Sequence, residues 1–473
     1  MGIRQLRSKR SGPPPREEAA QIGHACGGDL EWSEDGLLLV PEAALREHGV
    51  ISGGSGSGKS TFSLRLMAEC TRMGTWRIYY LDAKADEETA LQFVAVMEQC
   101  GIPVRVFPNE PMDEWRGEPS VLRNRLMQLL TYSESFYKDG ARLLVGLALN
   151  TPGSIPRSST AFLRRLDRTL LEALHAGTPA AGVLSRIDGV HWNGTMLRYE
   201  SFFTAAQQLL DGSWSWEDTR AAYIALDSVG APDDAQALGR FLIEDFGHFI
   251  KHRKPKDEQV LLIIDEFSAL AEHLDIANLF QRIRSSGGSV FVIVHGDASM
   301  ERQAEKLFQA CANIIVFQSN EPAHLIAHAG TRLVPDYSQH RPSQQKGGAE
   351  TTPRGLKPAR SSTLRMQEKP KIDANQVRQL GKGEGFWIYQ GRFQKMAVTR
   401  LSFSEAWLQT IQQRILPLQP PTRNALPPSP LLPQGAPVGG TPLPPSTGTG
   451  TPSPSPAVAP TVHKKKGRGL FDA

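Results

Sequence analysis

The sequence predicts an α/β fold: a mainly parallel sheet, an all-α subdomain inserted into it, and a disordered Pro-rich carboxyl-terminal tail. Three observations predict it. Short apolar runs alternate with segments of helical periodicity over about 30–116 and again from 217 onward, as strands buried on both faces of a parallel sheet require. Between these stretches, 117–216 carries Leu, Phe and Ala at helical spacing with few β-branched residues. Residues 417–460 hold 15 of the chain's 34 prolines, filled in with Ser, Thr and Gly, a composition that packs no core and favours an extended tether. The expected organisation is a flexible basic segment at 1–29, one part of the sheet domain at 30–116, the insert at 117–216, the second part of the sheet domain at 217–415, and the tail at 416–473.

In chain order, the first informative element is Val50-Ile51-Ser52-Gly53-Gly54-Ser55-Gly56-Ser57-Gly58-Lys59-Ser60-Thr61. It is a short apolar strand that runs into G-x-x-x-x-G-K-[ST]. Glycines at 53, 54, 56 and 58 let successive backbone N–H groups point into one concavity, at the positive end of the helix that follows. Such a loop cradles phosphates, so residues 53–61 are the expected nucleotide-binding set: Gly53, Gly54, Ser55, Gly56, Ser57, Gly58, Lys59, Ser60 and Thr61. Lys59 is expected at the β/γ-phosphate oxygens and Ser60 on Mg²⁺, which makes ATP and Mg²⁺ the expected cofactors. Phe62, Leu66, Cys70 and Met73 share one face of the helix, which Gly74 ends.

Strands are expected next at 76–81 and 103–107 around a helix at 87–99. The insert follows, with helices at 119–131, 134–149, 158–176 and 199–211, and is expected to be separable from the sheet. The sheet resumes at 221–226, then a helix at 234–251. Val260-Leu261-Leu262-Ile263-Ile264-Asp265-Glu266 is a strand buried on both faces with an acid pair at its carboxyl end, where ligands sit in open α/β folds. Asp265 suits the Mg²⁺ shell and Glu266 suits polarising a water, since phosphoryl transfer needs positioning and charge more than covalent chemistry. A helix at 271–283, strands at 289–294 and 313–317, and a hairpin from Gly385-Phe386-Trp387-Ile388-Tyr389 to Met396-Ala397-Val398 complete the sheet.

Charge and cysteine content bound the class. The net charge of +4 hides a basic stretch at 341–371, with eight basic and two acidic residues; it lacks periodicity and reads as part of a mobile basic loop over 337–371. Contact with a phosphate backbone and simple solvation both fit that composition. Four cysteines without a C-x-x-C pair favour a reducing compartment. No apolar run approaches the roughly 18 residues of a spanning helix, and the start has neither a signal peptide nor the Ser/Thr that myristoylation needs. Near the end, Lys464, Lys465 and Lys466 precede Leu470 and Phe471, which suits a docking peptide, a nucleic-acid contact or a solubilising extension.

Taken with their order, these motifs resemble the TraG/TraD-type coupling proteins of conjugative type IV secretion, within the FtsK/HerA group of hexameric DNA pumps. The resemblance rests on the loop at 53–61; on Tyr80-Leu81-Asp82-Ala83-Lys84-Ala85-Asp86, similar to that family's Asp-Pro-Lys-Gly-Asp; on Ala222-Tyr223-Ile224-Ala225-Leu226-Asp227; on Ile264-Asp265-Glu266-Phe267; and on Arg282-Ile283-Arg284-Ser285-Ser286-Gly287-Gly288-Ser289-Val290 before the sensor strand. Gln379-Leu380-Gly381-Lys382-Gly383-Glu384-Gly385 resembles the family's carboxyl-terminal element. The resemblance spans roughly 30–400 and implies a RecA-like P-loop NTPase that assembles as a homo-hexamer and drives DNA, with its relaxase or another DNA-processing protein, to a secretion channel. It also implies that Arg282 or Arg284 reaches the γ-phosphate of a neighbouring subunit. His295 stands where the family commonly has Gln, and either a sensor or a plain core histidine fits it. Ala83 and Ala85 replace the family's Pro and Gly. Family members usually begin with transmembrane helices; this chain shows none, so the expectation is a cytoplasmic protein held at the inner membrane through a membrane-anchored partner. A soluble HerA/FtsK-like pump and an ATP-switched DNA- or relaxase-binding adaptor are the alternatives.

Overall fold

The computed structural model describes residues 14–206, 208–254, 258–270, 276–295, 304–339 and 362–420. The tail beyond 420, with Lys464 to Lys466, and the centre of the basic stretch lie outside the described residues.

The strands among the described residues are β1 (Ala19–Gly28), β2 (Ser33–Glu34), β3 (Leu37–Pro41), β4 (Gly49–Ser52), β5 (Trp76–Asp82), β6 (Val104–Phe107), β7 (Ala221–Ala225), β8 (Gln259–Asp265), β9 (Gly288–Val294), β10 (Asn313–Phe317), β11 (Thr331–Gln339), β12 (Ser362–Pro370), β13 (Glu384–Tyr389) and β14 (Arg392–Val398); β4 to β10, β13 and β14 fall on the expected runs. Twelve of them form one sheet in the order β2-β3-β1-β14-β13-β10-β4-β9-β8-β5-β7-β6. From β10 to β6 every pairing is parallel; from β13 to β2 every pairing is antiparallel. β4 leads into the glycine-rich loop and β9 separates it from β8, which carries the acid pair. This is the α/β, RecA-like P-loop fold that the motifs implied.

Period-two alternation divides the parallel strands between two cores. Val50, Tyr79, Leu262, Ile264 and Val292 face the layer formed by the helices Pro232–His252 and Ile276–Ser285. Ile51, Tyr80, Leu261, Ile263 and Ile293 face the helices Lys59–Arg72, Glu87–Gln99 and Glu405–Ile415. Every one of these side chains is at most 1% exposed, which explains why the strands read as unbroken apolar runs. His48 locks the start of β4: its Nε2 lies 2.7 Å from the Phe280 carbonyl and its Nδ1 accepts from the Val290 N–H at 2.9 Å. Burial pushes its pKa down to about 4, so it is a neutral structural group.

Four expectations about where elements lie need correction. The segment 1–29 is not all flexible: Ala19–Gly28 is β1, paired with both β3 and β14. Its short Ala/Gly side chains hid it from an apolar-run criterion. The basic stretch is bounded by an antiparallel ribbon, β11 against β12 from Thr331↔Pro370 to Gln339↔Ser362. Leu333 and Met366 are 66% and 57% exposed there, so no buried face imposes the alternation that would have marked these strands. In the insert, 158–176 breaks into Ser159–Leu166 and Arg168–Leu174, because the Asp167 carboxylate caps a new helix by accepting from the Leu170 N–H at 2.9 Å. The last helix begins at Gly189, ten residues earlier than expected, where Asp188 accepts from the His191 N–H at 2.8 Å.

The insert does not pack apart from the sheet domain. Leu122, Leu126, Leu144, Phe162 and Tyr199 of the insert share one continuous apolar core with Phe246 and Phe249 of Pro232–His252 and with Tyr79 of β5. Arg125 on the insert's first helix, Pro119–Leu126, pairs across this boundary with Asp245 at 2.5 Å and with Glu114 at 3.1 Å. All three side chains are 10% exposed or less.

Candidate nucleotide-binding site

The loop between β4 and the helix Lys59–Arg72 takes its shape from glycine. Gly58 has φ 114°, and a Cβ there would stand 2.8 Å from the Cα of Gly383. The turn before β13 therefore lies directly against the loop, and the Gly383 N–H donates to the Ser57 carbonyl at 2.8 Å. On its other side the loop is tied to the strand beside β4: the Gly54 N–H donates to the Gln318 carbonyl at 2.7 Å. Conformational freedom at glycine is spent here on close backbone approach.

Lys59 is buried, with its ammonium donating to the Gly53 and Gly54 carbonyls at 2.7 and 2.9 Å. Burial lowers its pKa below the ordinary lysine value, against the attraction of Asp265. Ser60 is exposed at the start of the helix and Asp265 is half-buried at the end of β8. Asp265 is fixed from two sides, accepting from the Tyr80 hydroxyl and from the Glu266 N–H at 2.7 and 2.8 Å. A hydroxyl and a carboxylate are hard oxygen donors of the kind Mg²⁺ takes, so these residues fit the ion.

Glu266 sits in the left-handed region at φ 53°, at the turn that ends β8 between the residues following β5 and β9. There it meets two basic groups. Glu266 Oε2 is 2.5 Å from Lys84 Nζ and 2.8 Å from His295 Nε2, while Ser268 Oγ donates to Oε1 at 3.2 Å. Burial would raise the Glu266 pKa, but the Lys84 ammonium, His295 and the Ser268 hydroxyl outweigh it and hold the carboxyl below its ordinary range. The His295 ring bridges the two sides of the site, since its Nδ1 is 3.4 Å from Lys59 Nζ.

Lys59, Asp265, Glu266 and His295 thus come from β4, β8 and β9, at one end of the parallel strands. Arg284 does not join them. It precedes β9 at the opposite end of the sheet, where its guanidinium pairs with Glu47 at 2.7 Å. Arg282, on the same helix, pairs with Glu244 at 2.9 Å. The residue that sequence reading left without a role is Lys84; its motif was noticed, and only the fold brings it against Glu266.

A family model described as "TraM recognition site of TraD and TraG" matches residues 259–382, which run from β8 through the ribbon to the turn before β13. The resemblance to TraG/TraD-type coupling proteins holds. The conjugative coupling protein TrwB in its unbound form superposes with a TM-score of 0.58 at 14% identity, over 82% of this chain and 90% of that one. TrwB in complex with the non-hydrolysable ATP analogue ADPNP gives 0.55 at 14% identity, over 82% and 91%. VirB4 of Thermoanaerobacter pseudethanolicus gives 0.53 at 12% identity, over 85% of this chain and all of that one. At such identities these likenesses establish the fold. Among curated proteins, none matches by sequence. No helix among the described residues is long and apolar enough to cross a membrane.

Proposed function

We propose that this chain is an ATPase that couples ATP hydrolysis to the movement of DNA, as the coupling component of a conjugative secretion apparatus. The observation that carries the proposal is the convergence of Lys59, Asp265, Glu266 and His295 at the end of three adjacent parallel strands, beside a glycine cradle. TrwB, similar in fold, has been solved with ADPNP and with ADP and Mg²⁺, which supports ATP and Mg²⁺ as the cofactors here. ATP with Mg²⁺ supplies the γ-phosphoryl group and the charge neutralisation that its transfer needs. Lys59 would leave the Gly53 and Gly54 carbonyls to face phosphate oxygens, and residues 53–61 would offer backbone N–H groups to the same anion. Ser60 and Asp265 would hold Mg²⁺. Glu266 would orient and deprotonate the attacking water, and His295 would hold Glu266 in register with Lys59.

The family match over 259–382 supports recruitment of a DNA-processing protein such as a relaxase, and the basic residues of β11 and β12 support contact with DNA. Attachment through a membrane-anchored secretion component follows from the same reading. A homo-hexamer would let Arg284 act on a neighbouring site, since it cannot act on its own. Hydrolysis of ATP by the purified chain, measured with and without DNA, tests the proposal. DNA should raise turnover, and Glu266→Gln should keep ATP binding while lowering hydrolysis by about 10²–10⁴-fold. Wild-type turnover in Glu266→Gln would overturn the site; turnover indifferent to DNA would overturn the coupling.

A further inference from the structure

Lys84 occupies a built position. It lies two residues beyond β5, which runs beside β8 with Asp82 opposite Asp265. The turn that carries it is organised by the buried Asp82 carboxylate, which accepts from the Lys84 N–H at 2.8 Å, the Asp86 N–H at 2.7 Å and the Tyr223 hydroxyl at 2.5 Å. Ala85, the next residue, is held at φ 53°, a left-handed conformation that a non-glycine residue keeps only when its surroundings over-determine it. Glu266 has the same φ at the end of the neighbouring strand. Two strained turns on adjacent strands therefore aim one ammonium and one carboxylate at each other, and their contact is 2.5 Å. His295 Nε2 stands 2.8 Å from both.

This ion pair is not sealed. The Lys84 side chain is 45% exposed, and the pair faces the same cradle as Lys59, whose ammonium is satisfied meanwhile by its own loop. We propose that Lys84 is a sensor of the terminal phosphate: its ammonium pairs with Glu266 when no nucleoside triphosphate is bound and transfers to the γ-phosphate when one is, freeing the carboxylate to meet the attacking water. A phosphate bearing more charge than one carboxylate competes well for a mobile point charge such as lysine. A diphosphate has no group at that position, so Lys84 stays on Glu266. Glu266 is thereby kept from water until the substrate is complete.

The inference rests on the nucleotide reading of the site, and binding separates the two. The full chain, as wild type, Lys84→Met, Lys84→Gln and Lys84→Arg, is titrated calorimetrically with Mg²⁺-ADP and with a Mg²⁺-bound non-hydrolysable ATP analogue; melting temperatures establish that each variant is folded. Loss of one charged hydrogen bond to phosphate should weaken the analogue about tenfold in Lys84→Met and Lys84→Gln. ADP affinity should stay within about twofold, and Lys84→Arg should restore most of the analogue's affinity. Equal weakening of both nucleotides, or no change in either, overturns the sensor. A wild-type chain that binds neither nucleotide overturns the nucleotide reading, and the sensor with it.

Discussion

Two clusters of charge in this protein contain the same chemistry and have opposite fates. In one, Arg125 lies between Glu114 and Asp245, with the three side chains 4%, 1% and 10% exposed. In the other, Lys84 and His295 lie against Glu266, 45%, 31% and 17% exposed. The first joins the helical insert to the helix Pro232–His252 and has no access for a competing ion. The second opens onto the glycine-rich loop that carries Lys59. Burial fixes the partners of the first cluster, because an unpaired charge there has nowhere to find water; exposure leaves the partners of the second exchangeable. The two clusters differ in solvent access more than in the kinds of charge they bring together.

The largest expected effect breaks the sealed cluster. Arg125→Leu leaves two buried carboxylates facing each other without a cation, and also removes the donor to the Arg116 carbonyl. Breaking a buried pair by removing one partner costs about 3–5 kcal/mol, a large share of a domain's stability. Chemical denaturation should show that loss. A shift of less than about 1 kcal/mol would mean that water enters the boundary, and the contrast between the clusters would collapse.

A smaller effect, confined to ligand binding, is expected on the open side. Lys59→Ala should weaken ATP binding by at least about a hundredfold, because one ammonium facing several phosphate oxygens has no replacement on the loop. The same variant should unfold within about 1 kcal/mol of wild type, since the two carbonyls that accept from Lys59 belong to its own loop and its remaining contact, His295 Nδ1, is long at 3.4 Å. Titration with ATP and a denaturation curve measure the two quantities on one preparation. A variant that loses stability as heavily as Arg125→Leu would show that the cradle depends on Lys59 for its fold.

This contrast also explains what could be read from the sequence. The parallel half of the sheet was legible, because strands buried on both faces must be apolar throughout, as in Val260-Leu261-Leu262-Ile263-Ile264. The convergence of Lys59, Asp265 and Glu266 was legible because a glycine-rich loop after one strand and an acid pair after another lie at the same end of a parallel sheet. The ribbon β11–β12 was not, since exposure on both sides removes the pattern, and neither was β1, where Ala and Gly fill a strand between two partners. Arg125 and Lys84 were illegible for a common reason: each finds its carboxylate far along the chain, and no local spacing reports a contact between Arg125 and Asp245 or between Lys84 and Glu266.

The smallest expected effect sharpens the comparison instead of breaking it. The sealed cluster has two carboxylates and one guanidinium, so one negative charge lacks a full counterion. Burial and the neighbouring Asp245 push the Glu114 pKa well above its ordinary value, even with Arg125 3.1 Å away. A carboxyl whose pKa is higher folded than unfolded contributes stability that is full below the unfolded value, about 4.3, and is lost as pH rises through the folded value. Glu114→Gln keeps the size and a hydrogen-bonding oxygen for Arg125 while removing the second charge. Its stability should therefore lie within about 1 kcal/mol of wild type near pH 5 and improve relative to wild type as pH is raised toward 8. Denaturation midpoints at the two pH values decide it. If Glu114→Gln instead loses several kcal/mol near pH 8, Arg125 needs both carboxylates ionised, and the sealed cluster holds its charge as firmly as the open one exchanges it.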